Sequence, residues 1–139
     1  MEDTTISHLA TVHTTFKDPV ALCDAAKALG LELSTGGRVR GYGGQLYPET
    51  DYMIKLTGPF DLGFRRQTDG TYAMECDGGL MTGWYGSEAG MEQIGQNASK
   101  LKVEYSFCVL QAEARRKGRH VQRQELGNGR VRVLINGGR

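Results

Sequence analysis

Residues 51–76 read DYMIKLTGPFDLGFRRQTDGTYAMEC, and this stretch predicts an antiparallel meander. Apolar side chains alternate along residues 51–56, which is the period of a strand with one buried face. Residues 60–66 and 71–76 flank Asp69-Gly70, a pair that favours a type I′ hairpin turn because both central residues of that turn need positive φ. We therefore expect three adjacent strands with a common apolar face.

Helix signals lie on both sides of this meander. Asp18 can accept hydrogen bonds from the first free N–H groups of a helix, Pro19 suits the first helical position, and Gly30 supplies a left-handed residue at the end. Over residues 87–118 the apolar positions repeat by threes and fours. This spacing predicts a second, long helix that can break near Gly95.

Shorter strands complete the predicted order. Residues 8–16 and 31–33 read as strands on either side of the first helix, and residues 121–126 and 131–135 read as a closing hairpin around Asn128-Gly129. The order β-α-β-β-β-β-α-β-β predicts an α+β fold. We expect an antiparallel sheet with two helices packed on one face, as an elaborated ferredoxin-like (split βαβ) sandwich.

Length and composition are those of an ordinary globular domain. The chain has 139 residues, enough to bury a core, so one domain over residues 1–139 is expected. Its 20 glycines predict many turns, and residues 36–48 and 78–90 read as Gly-rich loops. No segment approaches the roughly 20 apolar residues of a membrane span, and residues 1–20 hold no secretory apolar region. We expect no membrane contact and a cytoplasmic or organelle-stromal location.

Charge is distributed unevenly along the chain. Residues 1–99 carry seven Lys and Arg against thirteen Asp and Glu, whereas residues 100–139 carry ten against three. Such a basic region can lie along a phosphate backbone, or it can simply balance the acidic part across the fold. Stacking aromatics are absent among these cations, so nucleic-acid or ribosome association is an alternative function. The residues it would use are Arg115, Arg116, Lys117, Arg119, Arg123, Arg130 and Arg132.

Reactive side chains are scattered along the sequence. The three cysteines are odd in number and far apart, which suits reduced thiols. No metal-binding pair of the Cys-x-x-Cys or His-x-x-x-His type occurs, and neither does a phosphate-binding loop or a nucleophile elbow. Asp51, Asp61 and Glu75 can act as acids or bases, but nothing in the sequence brings two of them together. We predict no catalytic residue, no metal and no cofactor, and an enzyme with its site in the Gly-rich loops is the second alternative.

The leading hypothesis is a small non-catalytic binding or accessory protein that contacts an unknown protein partner through its Gly-rich loops. Loops carry binding residues more often than regular elements do, and aromatic and Arg side chains dominate binding surfaces. The predicted partner-binding residues are Arg38, Arg40, Tyr42, Trp84 and Tyr85. The competing interpretation is that these aromatics pack into the core.

Several short motifs, taken together, resemble those of a known uncharacterised family. They are Ser7-His8, Leu29-Gly30, residues 39–45, residues 61–63, Asp69-Gly70 and residues 129–133. The sequence is similar to the plastid hypothetical reading frame thirty-five family of algal plastids and cyanobacteria, also met in other bacteria and phages, over residues 8–135. The resemblance implies one domain, and it carries no activity or catalytic residue. The expected location is cytoplasmic or plastid-stromal. The chain departs from that family where Asp77 and Trp84 stand seven apart instead of adjoining.

Overall fold

A computed structural model of the chain describes residues 2–7, 15–83, 85–127 and 130–137. The strands are β1 (Glu2–Ser7), β2 (Leu33–Thr35), β3 (Arg38–Arg40), β4 (Leu46–Glu49), β5 (Tyr52–Lys55), β6 (Asp61–Arg66), β7 (Tyr72–Glu75), β8 (Arg119–Gly127) and β9 (Arg130–Gly137). The α-helices are α1 (Pro19–Ala28), α2 (Gly78–Thr82), α3 (Glu88–Ile94) and α4 (Ser99–Arg116). No helix in the described ranges is long and apolar enough to cross a membrane.

The predicted meander forms the central sheet, in the antiparallel order β2-β5-β6-β7. Its register pairs Ile54 with Leu62 and Phe64 with Met74, so one face is apolar throughout. The predicted type I′ turn before β7 is wrong, because among the described residues Gly70 has positive φ and Asp69 does not. Asp69 instead accepts hydrogen bonds from the backbone and the hydroxyl of Thr71, which closes a tight turn without a left-handed aspartate.

The first predicted helix is confirmed as α1. The Asp18 carboxylate accepts hydrogen bonds from the N–H groups of Val20 and Ala21, and Gly30 follows the helix with a φ of 74°. One stripe of α1 is buried on the central sheet and consists of Ala21, Leu22, Ala25 and Ala26.

The predicted second helix is interrupted near Gly95, where a break was expected. It divides at Gly95, where Asn97 and Ala98 also take positive φ, into α3 and α4. Helix α4 lies beside α1, and both pack on the apolar face of the central sheet. The prediction of an α+β fold with helices on one face of an antiparallel sheet is confirmed, although α2 and α3 add Leu80 and Ile94 to the same core.

The connection through α1 resembles a widened split βαβ unit. Phe16 pairs with Tyr72 beside β7 at one edge of the central sheet, while β2 lies at the other edge. Helix α1 therefore joins two parallel segments that three antiparallel strands separate. Of the predicted first strand, residues 8–16, the described part includes this bridge at Phe16, and residues 8–14 lie outside the described ranges.

The closing hairpin is confirmed, but it builds a sheet of its own with the order β1-β9-β8. Its turn residues, Asn128 and Gly129, lie outside the described ranges. Val131, Val133 and Ile135 alternate along β9, and this apolar stripe packs on Val103 and Ala114 of α4. Helix α4 thus covers two sheets, and the single sheet expected from the sequence is divided.

Candidate functional site

The first Gly-rich segment, predicted as an irregular loop over residues 36–48, is a short β-hairpin, so that prediction is wrong. Strands β3 and β4 pair antiparallel, with Arg38 opposite Glu49 and Arg40 opposite Leu46. Between them the chain makes one tight turn in which Gly43 has a φ of 71°. Residues 38–49 are called the Gly-rich hairpin below.

The Gly-rich hairpin covers the face of β6 that points away from the helices. Side chains alternate along a strand, so Asp61 and Gly63 lie on this face while Leu62 and Phe64 enter the helical core. A Cβ atom at Gly63 would lie 2.7 Å from Cγ2 of Val39 and 2.8 Å from Cγ2 of Thr50. The missing side chain is what lets the hairpin approach this closely.

An ion pair between a half-buried arginine and a buried aspartate fixes the Gly-rich hairpin to the sheet. Asp61 is only 1% exposed, and its carboxylate accepts hydrogen bonds from Nε of Arg40 at 2.9 Å and Nη2 at 2.8 Å. The backbone N–H groups of Arg40 and Leu56 donate to the same carboxylate. The hydrogen bond with Asp61 raises the pKa of Arg40 above its ordinary value, so the guanidinium stays charged. Arg40 therefore acts mainly to position the hairpin.

Asp77 fixes the turn of the hairpin in a similar way. Its carboxylate accepts hydrogen bonds from the Tyr47 hydroxyl at 2.6 Å, the Gly79 N–H at 2.7 Å and the Tyr42 N–H at 3.3 Å. The bond from Tyr47, and after it the bond from Gly79, holds the pKa of Asp77 below its usual value. A Cβ atom at Gly41 would overlap Oδ2 of Asp77, so the backbone approach again needs glycine.

Two exposed apolar side chains stand on the hairpin, and a third stands nearby. Tyr42 is 56% exposed, Leu46 is 50% exposed and Tyr85 is 91% exposed. Tyr42 donates its N–H to Asp77, which precedes α2, and Tyr85 follows the end of α2 after Gly83. Since a five-residue helix is only about 8 Å long, the exposed tyrosines lie near opposite ends of one short element.

The other predicted partner-binding residues have different positions. Arg38 donates from its guanidinium to the carbonyl oxygens of Tyr47 and Leu46, which stabilises the hairpin from its exposed side. Trp84 lies outside the described ranges. Leu46 was missed by the sequence analysis, because one leucine between two Gly-rich turns carries no periodic signal.

Part of the second Gly-rich segment, residues 78–90, is helical and was wrongly predicted as a loop. Helix α2 opens with Asp77, whose side chain caps Gly79, and it ends at Gly83 in a left-handed conformation. Ser87 precedes α3 as expected of a cap, but its hydroxyl makes no capping bond. The backbone around Gly86 packs tightly on Gly58, where an added Cβ would lie 2.6 Å from the Gly86 carbonyl oxygen.

The structure does not bring the basic residues of the C-terminal region together. Arg123 is half buried, hydrogen-bonds the Glu104 carboxylate through both terminal nitrogens, and stands over the Phe107 ring. The bond with Glu104 raises the pKa of Arg123. Lys117 forms a surface ion pair with Glu113.

The remaining cations lie at two ends of the closing hairpin. Arg115 and Arg116 are exposed at the end of α4, and Arg119 begins β8. Arg130 is exposed opposite Gly127, where β8 ends. A strand of nine residues is roughly 26 Å long, so Arg130 and Arg115 cannot form one compact patch. Arg132 lies on the face of β9 opposite the buried Val131 and Val133.

Titratable side chains meet beside the Gly-rich hairpin, where Asp77 accepts a hydrogen bond from Tyr47 and Cys76 lies close to both. No group of three or more His, Cys, Asp or Glu side chains within the described ranges could hold a metal ion. Burial raises the pKa of the Cys76 and Cys108 thiols above their ordinary values, which lowers the share of reactive thiolate. Asp61 and Asp77 are both committed to hydrogen bonds inside the fold.

Comparison with known proteins identifies a family whose function is unknown. Residues 25–134, well over half of the chain, match the model of a family described as "Protein of unknown function (DUF1257)". No curated protein and no solved structure matches the chain.

Proposed function

The chain belongs to the DUF1257 family of proteins of unknown function, and we propose that it is a small non-catalytic binding or accessory protein that recognises a protein partner through the Gly-rich hairpin and Tyr85. The prediction of membership in an uncharacterised family is thereby confirmed. The distribution of the family in plastids, cyanobacteria and phages stays a prediction. The cytoplasmic or plastid-stromal location of this protein also stays a prediction.

The observation that carries the proposal is the position of the exposed apolar side chains. Four large hydrophobic residues of the described ranges are strongly exposed, and Tyr42, Leu46 and Tyr85 are three of them. Isolated exposed apolar residues are common, but two tyrosines beside one short helix, with a leucine on the adjoining hairpin, form a candidate contact surface. Tyrosine is enriched among the residues that dominate binding energy.

Rigid support for this surface strengthens the proposal. The hairpin is fixed by the buried Asp61 and by Asp77, which bind Arg40 and Tyr47. A surface that is already ordered loses little conformational entropy when it binds. The geometry therefore suits recognition of a partner better than a mobile loop would.

The alternatives have less support. Nucleic-acid or ribosome association would use seven cations, yet Arg123 and Lys117 are paired with carboxylates and Arg130 stands far from Arg115. An enzyme with its site in the Gly-rich segments would need a reactive group there, and the carboxylates of Asp61 and Asp77 hold the backbone in place.

The test is affinity capture with the tagged protein in its native host, followed by quantitative mass spectrometry. Replacing Tyr42 and Tyr85 together with Ala should reduce the amount of each genuine partner about tenfold or more, because truncating hot-spot tyrosines typically costs over 1 kcal/mol each. Asp61 and Asp77 fix the hairpin from its buried side, so the thermal midpoint should stay close to that of the parent protein.

Val20 provides the matched control for this experiment. It is also strongly exposed, but it lies on α1, on the helical side of the central sheet. Val20→Ala should leave the captured proteins unchanged. The proposal would be contradicted if the double tyrosine variant, with its fold intact, captured the same proteins in the same amounts.

A further inference from the structure

The closing hairpin leaves one long strand edge open. Among the described residues β8 pairs with β9 alone, so its other edge faces no strand. The strand has nine residues, and the side chains of His120, Gln122 and Gln124 are exposed along it. An edge of this length presents a row of backbone N–H and C=O groups to which another strand can be added.

Two hollows lie beside this edge, one on each side of the Glu104–Arg123 ion pair. The first has a volume of about 440 Å³ and includes Leu29, Val103 and Val131 in its lining. The second has a volume of about 480 Å³ and includes Phe107 and Ala112. Both hollows are lined by Glu104 and Arg123, so they form successive compartments of one groove along α4.

The order of the hollows along the groove suits an extended chain. Alternate side chains of a strand point to the same face and repeat at about 7 Å, so a strand added to β8 can place successive apolar side chains in the two compartments. The Glu104–Arg123 pair between them is already satisfied and need not be broken. The groove thus provides pockets for side chains while the β8 edge provides backbone hydrogen bonds.

Charge gives the groove a direction. Its end near the start of β8 carries exposed cations from the last turn of α4, where Asp24 also lines the groove, and its other end carries Glu125 together with Lys100. The exposed cations at the first end are Arg115 and Arg116, which give that end a net positive charge, whereas Glu125 and Lys100 balance at the other end. A strand that pairs antiparallel with β8 has its carboxyl-terminal end at these cations, so acidic residues there would be favoured.

We propose that the free edge of β8, with the adjoining groove along α4, is a docking site for an extended peptide segment of a partner protein that alternates apolar residues and ends in acidic ones. The peptide becomes the fourth strand of the β1-β9-β8 sheet. This surface is distinct from the Gly-rich hairpin, so the two proposals can fail separately.

The test uses a fluorescein-labelled synthetic peptide, TVSVTVEDE, and the same residues in reversed order, EDEVTVSVT. Fluorescence anisotropy should show saturable binding of the first peptide and weaker binding of the second. Hydrogen exchange of the full chain should slow at the amides of β8 when the first peptide is bound. The reversed peptide tests the direction that the cations impose.

Charge reversal tests the same site from the protein side. Exchanging Arg115 and Arg116 for Glu should weaken binding of TVSVTVEDE about tenfold, since two exposed attractions become repulsions. Arg130→Glu, at the far end of the hairpin, is the matched control and should leave binding unchanged.

Three results would overturn the proposal. The first is no saturable binding of the peptide at millimolar concentration. The second is binding without slower exchange in β8. The third is that a labelled oligouridylate binds the protein more tightly than the peptide does, with an affinity that falls steeply as salt is added. In that case Arg130→Glu would weaken oligouridylate binding as much as the Arg115 and Arg116 changes do. This last result would assign the basic residues to nucleic acid.

Discussion

Replacing Arg40 with Ala is expected to lower the free energy of unfolding by about 3–5 kcal/mol, the cost of leaving a buried charge without its partner. The Asp61 carboxylate is almost completely buried, and Arg40 supplies three of its hydrogen bonds. The backbone bond can survive the change, but both guanidinium bonds are lost. Urea denaturation at neutral pH, followed by circular dichroism, measures the loss.

The chain contains a matched control for this experiment. Arg65 and Glu75 form a second pair with two hydrogen bonds, on adjacent strands of the central sheet, with a shortest distance of 2.7 Å. Their side chains are 37% and 40% exposed, so water screens the pair and Arg65→Ala should cost about 0–1 kcal/mol. Equal losses of unfolding free energy in the two variants would show that burial of Asp61 does not determine how much the ion pair stabilises the fold.

A double replacement separates the effect of the buried charge on stability from the effect of side-chain packing. Changing Arg40 to Met and Asp61 to Asn together removes both charges, keeps an amide oxygen as acceptor for the backbone N–H of Arg40, and should be less destabilising than Arg40→Ala, because no buried carboxylate remains unpaired. If the double variant loses as much stability as Arg40→Ala, then side-chain packing is responsible and the ion pair is not.

Gly63→Ala is expected to lower the free energy of unfolding by about 1–3 kcal/mol, the usual cost of overpacking. In an unobstructed strand this substitution would be favourable by about 0.5–1 kcal/mol, so the sign itself is diagnostic. The new methyl group would overlap Val39 and Thr50, which are both buried between the hairpin and the sheet. Differential scanning calorimetry measures the effect.

Gly78 is the control for the glycine experiment. It is the first residue of α2, its φ is not positive, and an added Cβ would have no atom within 4 Å. Gly78→Ala should therefore be neutral or slightly stabilising. A neutral Gly63→Ala would contradict the close approach of the Gly-rich hairpin to β6.

The sequence predicted those elements that local signals define. Asp18, Pro19 and Gly30 delimit α1, and the alternation in residues 51–56 indicates β5. The break at Gly95 was also anticipated, because glycine tolerates the positive φ that is found there. In each case the residues that cause the structure lie within a few positions of it.

The Gly-rich hairpin could not be predicted because its cause is remote in sequence. The partner of Arg40 lies 21 residues away, and Asp61 looked equally suited to acid-base chemistry. One signal was present in β6. Asp61 and Gly63 alternate with two apolar residues, so that strand has a face with one carboxylate and one empty position, which another backbone layer can cover.

The candidate site was predicted in part. Tyr42 and Tyr85 are exposed, as binding residues should be, whereas Arg40 holds the hairpin in place. Sequence cannot distinguish an arginine that faces a partner from one that faces a buried carboxylate, since both favour polar loops. Whether the exposed tyrosines bind a partner stays a prediction.

The Gly-rich segment is a fixed hairpin that presents its exposed side chains from a rigid base. Amide hydrogen exchange measured by NMR tests this directly at Arg40, Gly41 and Thr50, whose N–H groups donate to Asp61, Gln45 and Gly37. These amides should exchange about as slowly as those of β5 and β6. Amide exchange at the rate of an unstructured chain would show that the Gly-rich hairpin is not fixed.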